Sequence, residues 1–211
     1  MSGRGEQTRD RLLDHATQLF SRKGYDGVST RDISKAAGTT LPSIAHHFGS
    51  KEGLYKAVLA SVVDYMTQAL PEDAPLTPAV LSTMTPAEAL TLLKAILSRH
   101  TRAMLAGRPE WGPLIAREQL QPSAELASLE TLFGTKILYP VCKLLGVLHG
   151  RPADSDAVKL QSLALVGRVI NFRQARAGTL RFMGWDALGP QQIDTIAAVL
   201  DEELSKMFGS P

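Results

Sequence analysis

The chain has 211 residues, with 23 Lys plus Arg against 21 Asp plus Glu, so its formal net charge is only +2. The single cysteine, Cys142, excludes an internal disulfide and is typical of a reducing compartment. Because no apolar run approaches about 18 residues and the first residues lack the apolar core of a signal peptide, we expect a cytoplasmic protein without a membrane partner.

Residues 8–23 predict the first helix. Their apolar side chains recur at helical spacing on one face, and Gly24 follows as a terminator. That face consists of Leu12, Leu13, Ala16, Leu19 and Phe20. A helix of this kind can cover a pair of shorter helices that follows it in the chain.

Residues 29–48, STRDISKAAGTTLPSIAHHF, have the sequence form of two short capped helices joined by a glycine turn. Ser29 can cap the first helix while Asp32, three residues on, reaches back to the Ser29 amide, which together make a capping box. Gly38 can take the left-handed conformation that ends this helix, and Thr40 follows as the cap of the next one. The pattern is that of a helix-turn-helix, which reads DNA, and its shape also fits a helical hairpin in an ordinary all-α protein.

The second helix of this pair has a distinct outward face. Pro42 lies in its first turn, where the missing N–H costs nothing, while Ile44 and Phe48 point inward. The side chains left facing outward are Leu41, Ser43, Ala45, His46 and His47. This face carries no acid, and its small, hydroxyl and imidazole groups suit a helix that enters a major groove.

Downstream, Ser50 caps a further helix with Lys51 in its first turn. With these residues the chain resembles the TetR family of bacterial one-component regulators. The resemblance rests on F-x-x-x-G-Y at 20–25 followed by the segment 29–33, on A-G-x-x-x-x-x-I-x-x-H-F at 37–48, and on S-K-E-x-L-Y at 50–55. It implies a DNA-binding domain at residues 1–54 and an effector-binding and dimerisation domain at residues 55–211.

The resemblance also implies which residues contact double-stranded operator DNA. They lie at the start of the first helix of the pair, on the second helix, and at the start of the helix that follows. The implied DNA-binding residues are Thr30, Arg31, Thr40, Leu41, Pro42, Ser43, His46, His47 and Lys51. Lys51 is expected to contact phosphate beside a helix N-terminus. His46 stands where most relatives carry tyrosine, so a phenolic phosphate contact is lost.

Beyond residue 54 the pattern stays helical, without a convincing strand or a repeat. The fourth helix, to about residue 66, is long enough to be the mechanical link between domains. Prolines 71, 75, 78 and 86 mark an irregular connector, and Thr85 with Glu88 predicts a capping box for a helix that ends near residue 106. Further helices are predicted at about 114–120, 123–148, 156–176 and 190–208, and Pro140 should bend the second of these.

The expected fold class is therefore all-α. A three-helix helix-turn-helix DNA-binding domain precedes a larger helical ligand-binding and dimerisation domain, with about nine helices. The middle section resembles the C-terminal domain of the CecR-like subgroup, through residues 117–122, Leu138-Tyr139-Pro140 and Phe182-x-Gly184-Trp185. Candidate pocket residues for a small-molecule effector are Met104, Trp111, Phe133, Tyr139, Arg168, Phe172 and Arg173. Plain packing is the alternative for each of them.

The last two predicted helices carry a packing seam. Four apolar residues of the terminal helix repeat at 4-3-4 spacing, namely Ile193, Ala197, Leu200 and Leu204, and the preceding helix offers Leu163, Val166, Gly167 and Ile170. These stripes can form a four-helix interface with a second chain, which is the family's arrangement, or they can seal the monomer core. A homodimer also follows from symmetry, because one recognition helix spans only a few base pairs.

Sequence signals for catalysis and for metal binding are missing. The chain has no glycine-rich phosphate loop, no C-x-x-C, no H-E-x-x-H and no G-x-S-x-G. His46 and His47 point about 100° apart on a helix and cannot chelate one metal ion, so we expect no enzyme activity, no cofactor and no metal. Cys142 lies on an apolar helical face, which favours a core thiol over a redox sensor.

The predicted function is a transcriptional repressor that a small-molecule effector releases from its operator. One alternative is a DNA-binding protein of the same fold that is controlled by a partner protein or by its abundance. Another is a DNA-binding unit that has turned to protein interaction.

Overall fold

The computed structural model describes residues 3–67, 76–120 and 133–209, together with residues 122, 127, 130 and 131. All regular elements within these residues are helices, so the all-α prediction is confirmed. No helix among them is long and apolar enough to cross a membrane. The chain divides into two compact units: the first contains the residues up to 64 and residues 108–130, and the second contains residues 65–107 and those from 131 onward.

The described residues form eleven α-helices and one π-helical turn. In chain order they are α1 (Gly3–Lys23), α2 (Thr30–Ala36), α3 (Leu41–Phe48), α4 (Lys51–Thr67), α5 (Pro78–Thr83), α6 (Pro86–Ala106), α7 (Trp111–Leu120), a π-helical turn (Gly134–Leu138), α8 (Tyr139–His149), α9 (Asp156–Gln174), α10 (Arg176–Met183) and α11 (Pro190–Phe208). The connector predicted around prolines 71 and 75 lies outside the described residues, while Pro78 and Pro86 each open a helix, as proline does best at a first helical position.

The first unit has a core of apolar and aromatic side chains. α1 packs on α2 and α3, and Leu12, Phe20 and Ile33 are fully buried there. The ring of Tyr55 lies edge-on to that of Phe20, with 4.9 Å between ring centroids, and 5.0 Å from that of Tyr25. Aromatic pairs of this geometry add about 0.5–1.5 kcal/mol to the free energy gained from burial alone. This cluster fixes the base of α4 on the helix-turn-helix.

α7 belongs to the first unit, although it lies far along the chain. Its Glu118 carboxylate is buried and accepts a hydrogen bond from the Tyr55 hydroxyl. The Arg117 guanidinium donates to the Arg22 carbonyl at 3.0 Å, and Arg108, just before α7, pairs with Asp14 at 2.6 Å. The compact unit therefore extends beyond residue 54, and the domain boundary expected there falls inside α4.

The second unit is built around α6, which packs against α8, α9 and α11. The predicted capping box opens α6: the Thr85 amide donates to the Glu88 carboxylate at 2.8 Å, and the Glu88 amide donates to the Thr85 hydroxyl at 3.3 Å. The Thr85 amide and then its hydroxyl hold the pKa of Glu88 below its usual value. Cys142, on α8, is buried, in agreement with a core thiol.

Pro140 is accommodated by a change of helical pitch and not by a break. The π-helical turn lies directly before it, and the Tyr139 amide bonds to the Gly134 carbonyl, five residues back. Widening the helix by one residue removes the need for an amide on the proline and moves its ring away from the preceding turn. The predicted helix over 123–148 is confirmed for residues 133–148, while most of its first ten residues lie outside the described part.

Candidate nucleic-acid interface and effector region

The N-terminus of α2 is fixed by the predicted capping box. The Ser29 hydroxyl accepts from the Asp32 amide at 3.1 Å, and the Ser29 amide donates to the Asp32 carboxylate at 3.0 Å. The hydroxyl and then the amide of Ser29 hold the pKa of Asp32 below its usual value. Thr30 and Arg31, in the first turn of α2, are half-buried and exposed, respectively. Both side chains are thus presented from a well-anchored helix start.

The turn between α2 and α3 is closed by Gly38, whose φ is +59°, in the left-handed region that favours glycine. Thr40 occupies the cap position of α3 with an extended backbone, but its hydroxyl does not cap an amide. It lies 3.0 Å from the Ser43 hydroxyl. The expected role of Thr40 as a side-chain cap is therefore wrong, because a hydroxyl three residues on supplies an alternative partner. The two hydroxyls form an exposed pair at the start of α3.

α3 presents the outward face that the sequence predicts. Ile44 is buried beneath it, and Leu41 keeps 44% of its surface exposed. Pro42 and His46 are exposed, while His47 is half-buried with its ring edge-on to that of His46, at a centroid distance of 4.8 Å. No carboxylate lies on α3. The helix thus exposes a narrow, acid-free surface of small and polar groups.

Lys51 is positioned by an aromatic ring at the start of α4. Its ammonium nitrogen lies 4.1 Å from the centre of the Tyr25 ring, within the range of a cation–π interaction. The Ser50 hydroxyl accepts from the Gly53 amide at 3.0 Å and so caps α4. The positive charge is therefore held next to a helix N-terminus, where unpaired amides and the helix dipole also attract an anion.

The seven residues expected to bind an effector are divided between the two units. Trp111 belongs to the first unit and the other six to the second. Tyr139 is more than half exposed, with the Lys143 ammonium 4.7 Å from the centre of its ring. Arg168 and Phe172 line a surface groove, described below. Their role in binding an effector stays a prediction.

The three remaining residues of that set lie around a histidine on α6. The Arg173 guanidinium donates to the Met104 carbonyl, and the Phe133 ring centroid lies 6.5 Å from that of the His100 imidazole. His100 is one turn before Met104 on the same helical face. It is 1% exposed, and neither ring nitrogen has a hydrogen-bond partner among the described residues. Burial lowers the pKa of His100 to about 4, so the imidazole is neutral.

The surface groove lies between α9, α10 and α11 and has a volume of about 940 Å³. Most of its lining is apolar, with Phe172, Phe182, Met183, Trp185, Val199 and Leu200 among the lining residues. Arg168 on α9 pairs with Glu203 on α11 at 2.7 Å, and both line the groove. Phe182 is 90% exposed. Apolar groups so open to water mark a surface that binds another molecule.

Half of the residues predicted for the dimer interface are buried within a single chain. Ile193, Ala197 and Leu204 are buried on α11, and Val166 is buried on α9. α11 packs most extensively on α6, and Ile193 forms a core cluster with Leu105 there. These four residues cannot form an interface with a second chain, and the prediction is wrong for them. Apolar residues at this spacing are equally expected on a helix that packs against one neighbouring helix of the same chain. Leu163 is exposed, while Gly167, Ile170 and Leu200 are half-buried.

Together, the capped α2, the glycine turn and the acid-free face of α3 define a helix-turn-helix DNA-binding protein. Two family models match the chain: "Bacterial regulatory proteins, tetR family" over residues 12–58, and the C-terminal domain of the "HTH-type transcriptional dual regulator CecR" over residues 86–209. The chain belongs to the TetR family of transcriptional regulators, with a C-terminal domain of the CecR type.

Individual relatives agree with this assignment. The CecR regulator of Shigella flexneri is 25% identical over 93% of this chain and 89% of its own length. The negative transcriptional regulator IcaR of Staphylococcus aureus is 38% identical over 28% of this chain and 31% of its own length. The crystal structure of AibR in complex with isovaleryl coenzyme A and operator DNA shares the fold, with a TM-score of 0.61 and 17% identity over 95% of this chain and 98% of AibR.

Proposed function

We propose that this protein is a repressor that binds operator DNA as a homodimer through α3 and is released when a small molecule binds in its second unit. The observation that carries the DNA-binding part is the exposed, acid-free face of α3, held by the Ser29–Asp32 capping box and the Gly38 turn. A carboxylate on this face would repel phosphate, while small side chains let the helix enter a major groove closely.

Within this proposal the residues that contact DNA make two kinds of contact. Ser43 and His46 on α3 are placed to reach base edges. The Thr40–Ser43 hydroxyl pair keeps one free hydrogen and free lone pairs, so it can donate to a base or accept from one. Arg31 and Lys51 lie at the starts of α2 and α4 and contact phosphates. Phosphate contacts fix the register of the protein on the duplex, and base contacts supply the sequence preference.

The dimer in this proposal uses the exposed apolar surface of α9, α10 and α11. Leu163, Phe182 and Val199 are at least half exposed there, and the groove between these helices is open. A second copy related by a two-fold axis would cover them, and the dimer would carry two copies of α3. This surface replaces the buried stripe of α11 as the proposed interface.

Two relatives support the regulatory part of the proposal. AibR is named in a complex with both an acyl coenzyme A and operator DNA, so one protein of this fold holds both kinds of ligand. IcaR, which matches 28% of this chain, is named a negative regulator. A small molecule can release DNA only if it binds the DNA-incompetent conformation more tightly than the competent one.

A fluorescence polarisation assay tests the role of α3. It uses a DNA duplex from the promoter region of the gene that encodes this protein. Leu41→Glu puts a carboxylate on the exposed face and should lower affinity at least tenfold. Leu120→Glu makes the same change at an exposed leucine of α7 and is the matched control, because Leu120 lies outside the proposed interface. Equal losses for both variants, or no loss for Leu41→Glu, would contradict the assignment of α3.

The effector part is tested separately, by repeating the assay on the wild-type complex with a library of small molecules. A compound that lowers DNA affinity and that binds the free protein supports the proposal. Strong DNA binding without any releasing compound favours the alternative, in which a partner protein or the protein's abundance sets the control.

A further inference from the structure

The His100 imidazole is a buried polar group that the proposed function has not used. It lies on α6, inside the second unit, with 1% of its surface exposed and no hydrogen-bond partner for Nδ1 or Nε2 among the described residues. Its neighbours along the same helical face, Ile96 and Met104, are also buried. The Phe133 ring lies beside it, with 6.5 Å between ring centroids.

A neutral imidazole carries one N–H donor and one acceptor nitrogen. Leaving both unpaired in an apolar interior is unfavourable, and such groups in folded proteins are nearly always satisfied by protein, water or a ligand. A leucine or methionine at this position of the α6 face would pack without that penalty. The presence of histidine there therefore needs a polar partner other than the described residues.

We infer that His100 and Phe133 form the recognition point of a buried ligand site, and that the site takes an uncharged, mainly apolar molecule with one hydroxyl group. This inference rests on the proposed function, since the ligand would be the effector of the second unit. The hydroxyl of such a molecule can donate to one imidazole nitrogen, and its apolar body can pack against Phe133 and Met104.

The chemistry of the surroundings selects this class of ligand. Because burial keeps the His100 ring neutral, it does not supply the positive charge that a buried carboxylate or phosphate needs. The neighbouring Arg173 guanidinium donates a hydrogen bond to the Met104 carbonyl, so part of its set of N–H donors is already used. A hydroxyl forms a hydrogen bond with a neutral imidazole without a desolvated charge on either side.

The test uses 4-ethylphenol and ethylbenzene, two neutral probes that differ by one hydroxyl. Binding of each to the full-length protein is measured by isothermal titration calorimetry, for wild type and for His100→Leu. Wild type should prefer 4-ethylphenol by about tenfold, the ratio expected for one net hydrogen bond, and His100→Leu should bind both probes equally. Saturation with 4-ethylphenol should also shift the His100 ring-nitrogen signals of wild type in NMR spectra, which a purely structural histidine would not show.

Two results would overturn the inference. One is an equal preference for the hydroxyl in wild type and in His100→Leu. The other is His100 nitrogen signals that do not move with either probe, as expected if a resident water already pairs the ring. Phe133→Leu keeps the histidine and guards against a folding defect of the first variant: it should weaken both probes alike. Operator binding of wild type is also measured without probes. If wild type binds the operator but the probes fail, the His100 site is wrong while DNA binding in the proposed function stands.

Discussion

The hydrogen bond from the Tyr55 hydroxyl to the Glu118 carboxylate joins α4 to α7 in the interior of the first unit, and Tyr55→Phe removes it. The substitution keeps the ring and therefore its edge-on contact with Phe20 at 4.9 Å. Tyr55 is 3% exposed and Glu118 is 4% exposed, so the bond lies out of contact with bulk water. The loss should thus appear in stability without a change in packing.

The size of the effect follows from the charge and the burial of the acceptor. A hydrogen bond to a charged group contributes about 1.5–3 kcal/mol, and a buried carboxylate that loses a donor retains its desolvation penalty. For a chain of this length, each kcal/mol corresponds to a shift of about 2–4 °C in the unfolding temperature. Tyr55→Phe should therefore lower that temperature by about 3–12 °C.

Thermal unfolding followed by circular dichroism measures this shift. Tyr139→Phe is the matched control, because Tyr139 is 54% exposed and its ring keeps the Lys143 ammonium when the hydroxyl is removed. The control should stay within about 1–2 °C of wild type, since exposed substitutions change stability by less than about 0.5 kcal/mol. Equal unfolding temperatures for Tyr55→Phe and Tyr139→Phe would refute the assigned role of the buried bond.

Three further predictions concern the interface, the caps and the dimer. Lys51→Ala should weaken binding to all duplexes alike and reduce the slope of log affinity against log salt by about 1, and a changed sequence preference would contradict a phosphate contact. Because Ser29 lowers the pKa of Asp32, the capping box stabilises the fold above the ordinary value of 3.8 and loses that contribution as pH falls through the folded-state pKa. Between about pH 5 and 2, wild type should therefore lose more stability than Ser29→Ala in thermal unfolding, and parallel losses would rule this out. Val199→Glu should give folded monomers in sedimentation, whereas Ile193→Glu should unfold the second unit, and a fully dimeric Val199→Glu would remove α11 from the interface.

Local features of the fold could be predicted because their causes lie within a few residues of each other. The Ser29–Asp32 and Thr85–Glu88 boxes each need only two side chains three residues apart, and both are present. Gly38 is recognised by the same kind of local rule, and its φ of +59° agrees. Thr40 shows the limit of such local rules. Its hydroxyl can cap an amide of α3 or pair with the Ser43 hydroxyl, and both interactions are local and similar in energy.

Contacts between distant segments could not be predicted in this way. In the sequence, Glu118 does not differ from the other charged residues of a helix. Its hydrogen bond to Tyr55 spans 63 positions of the chain. The stripe of α11 is apolar at the spacing that any packed helix needs, and the sequence does not say whether α6 or a second chain covers it. The structure answers the question for Ile193 and Leu204, because both side chains are buried within one chain.

His100 did carry a signal in the sequence. Leu93, Ile96, His100 and Met104 recur at helical spacing, so the histidine occupies a core position of an apolar face. A polar residue at such a position is informative, because it must find a partner inside the protein. Residue type and spacing thus mark the place, while the lack of a partner among its described neighbours is visible only in the structure.

The central claim, that α3 reads a specific operator as part of a two-fold dimer, is tested most directly by selection from a library of random DNA duplexes. The account predicts an enriched palindromic motif whose half-sites are about 10 base pairs apart from centre to centre, bound by two chains per duplex. It further predicts that the motif binds at least about 1,000-fold more tightly than a scrambled duplex of the same composition. Enrichment of no motif, or equal affinity for the two duplexes, would contradict the claim.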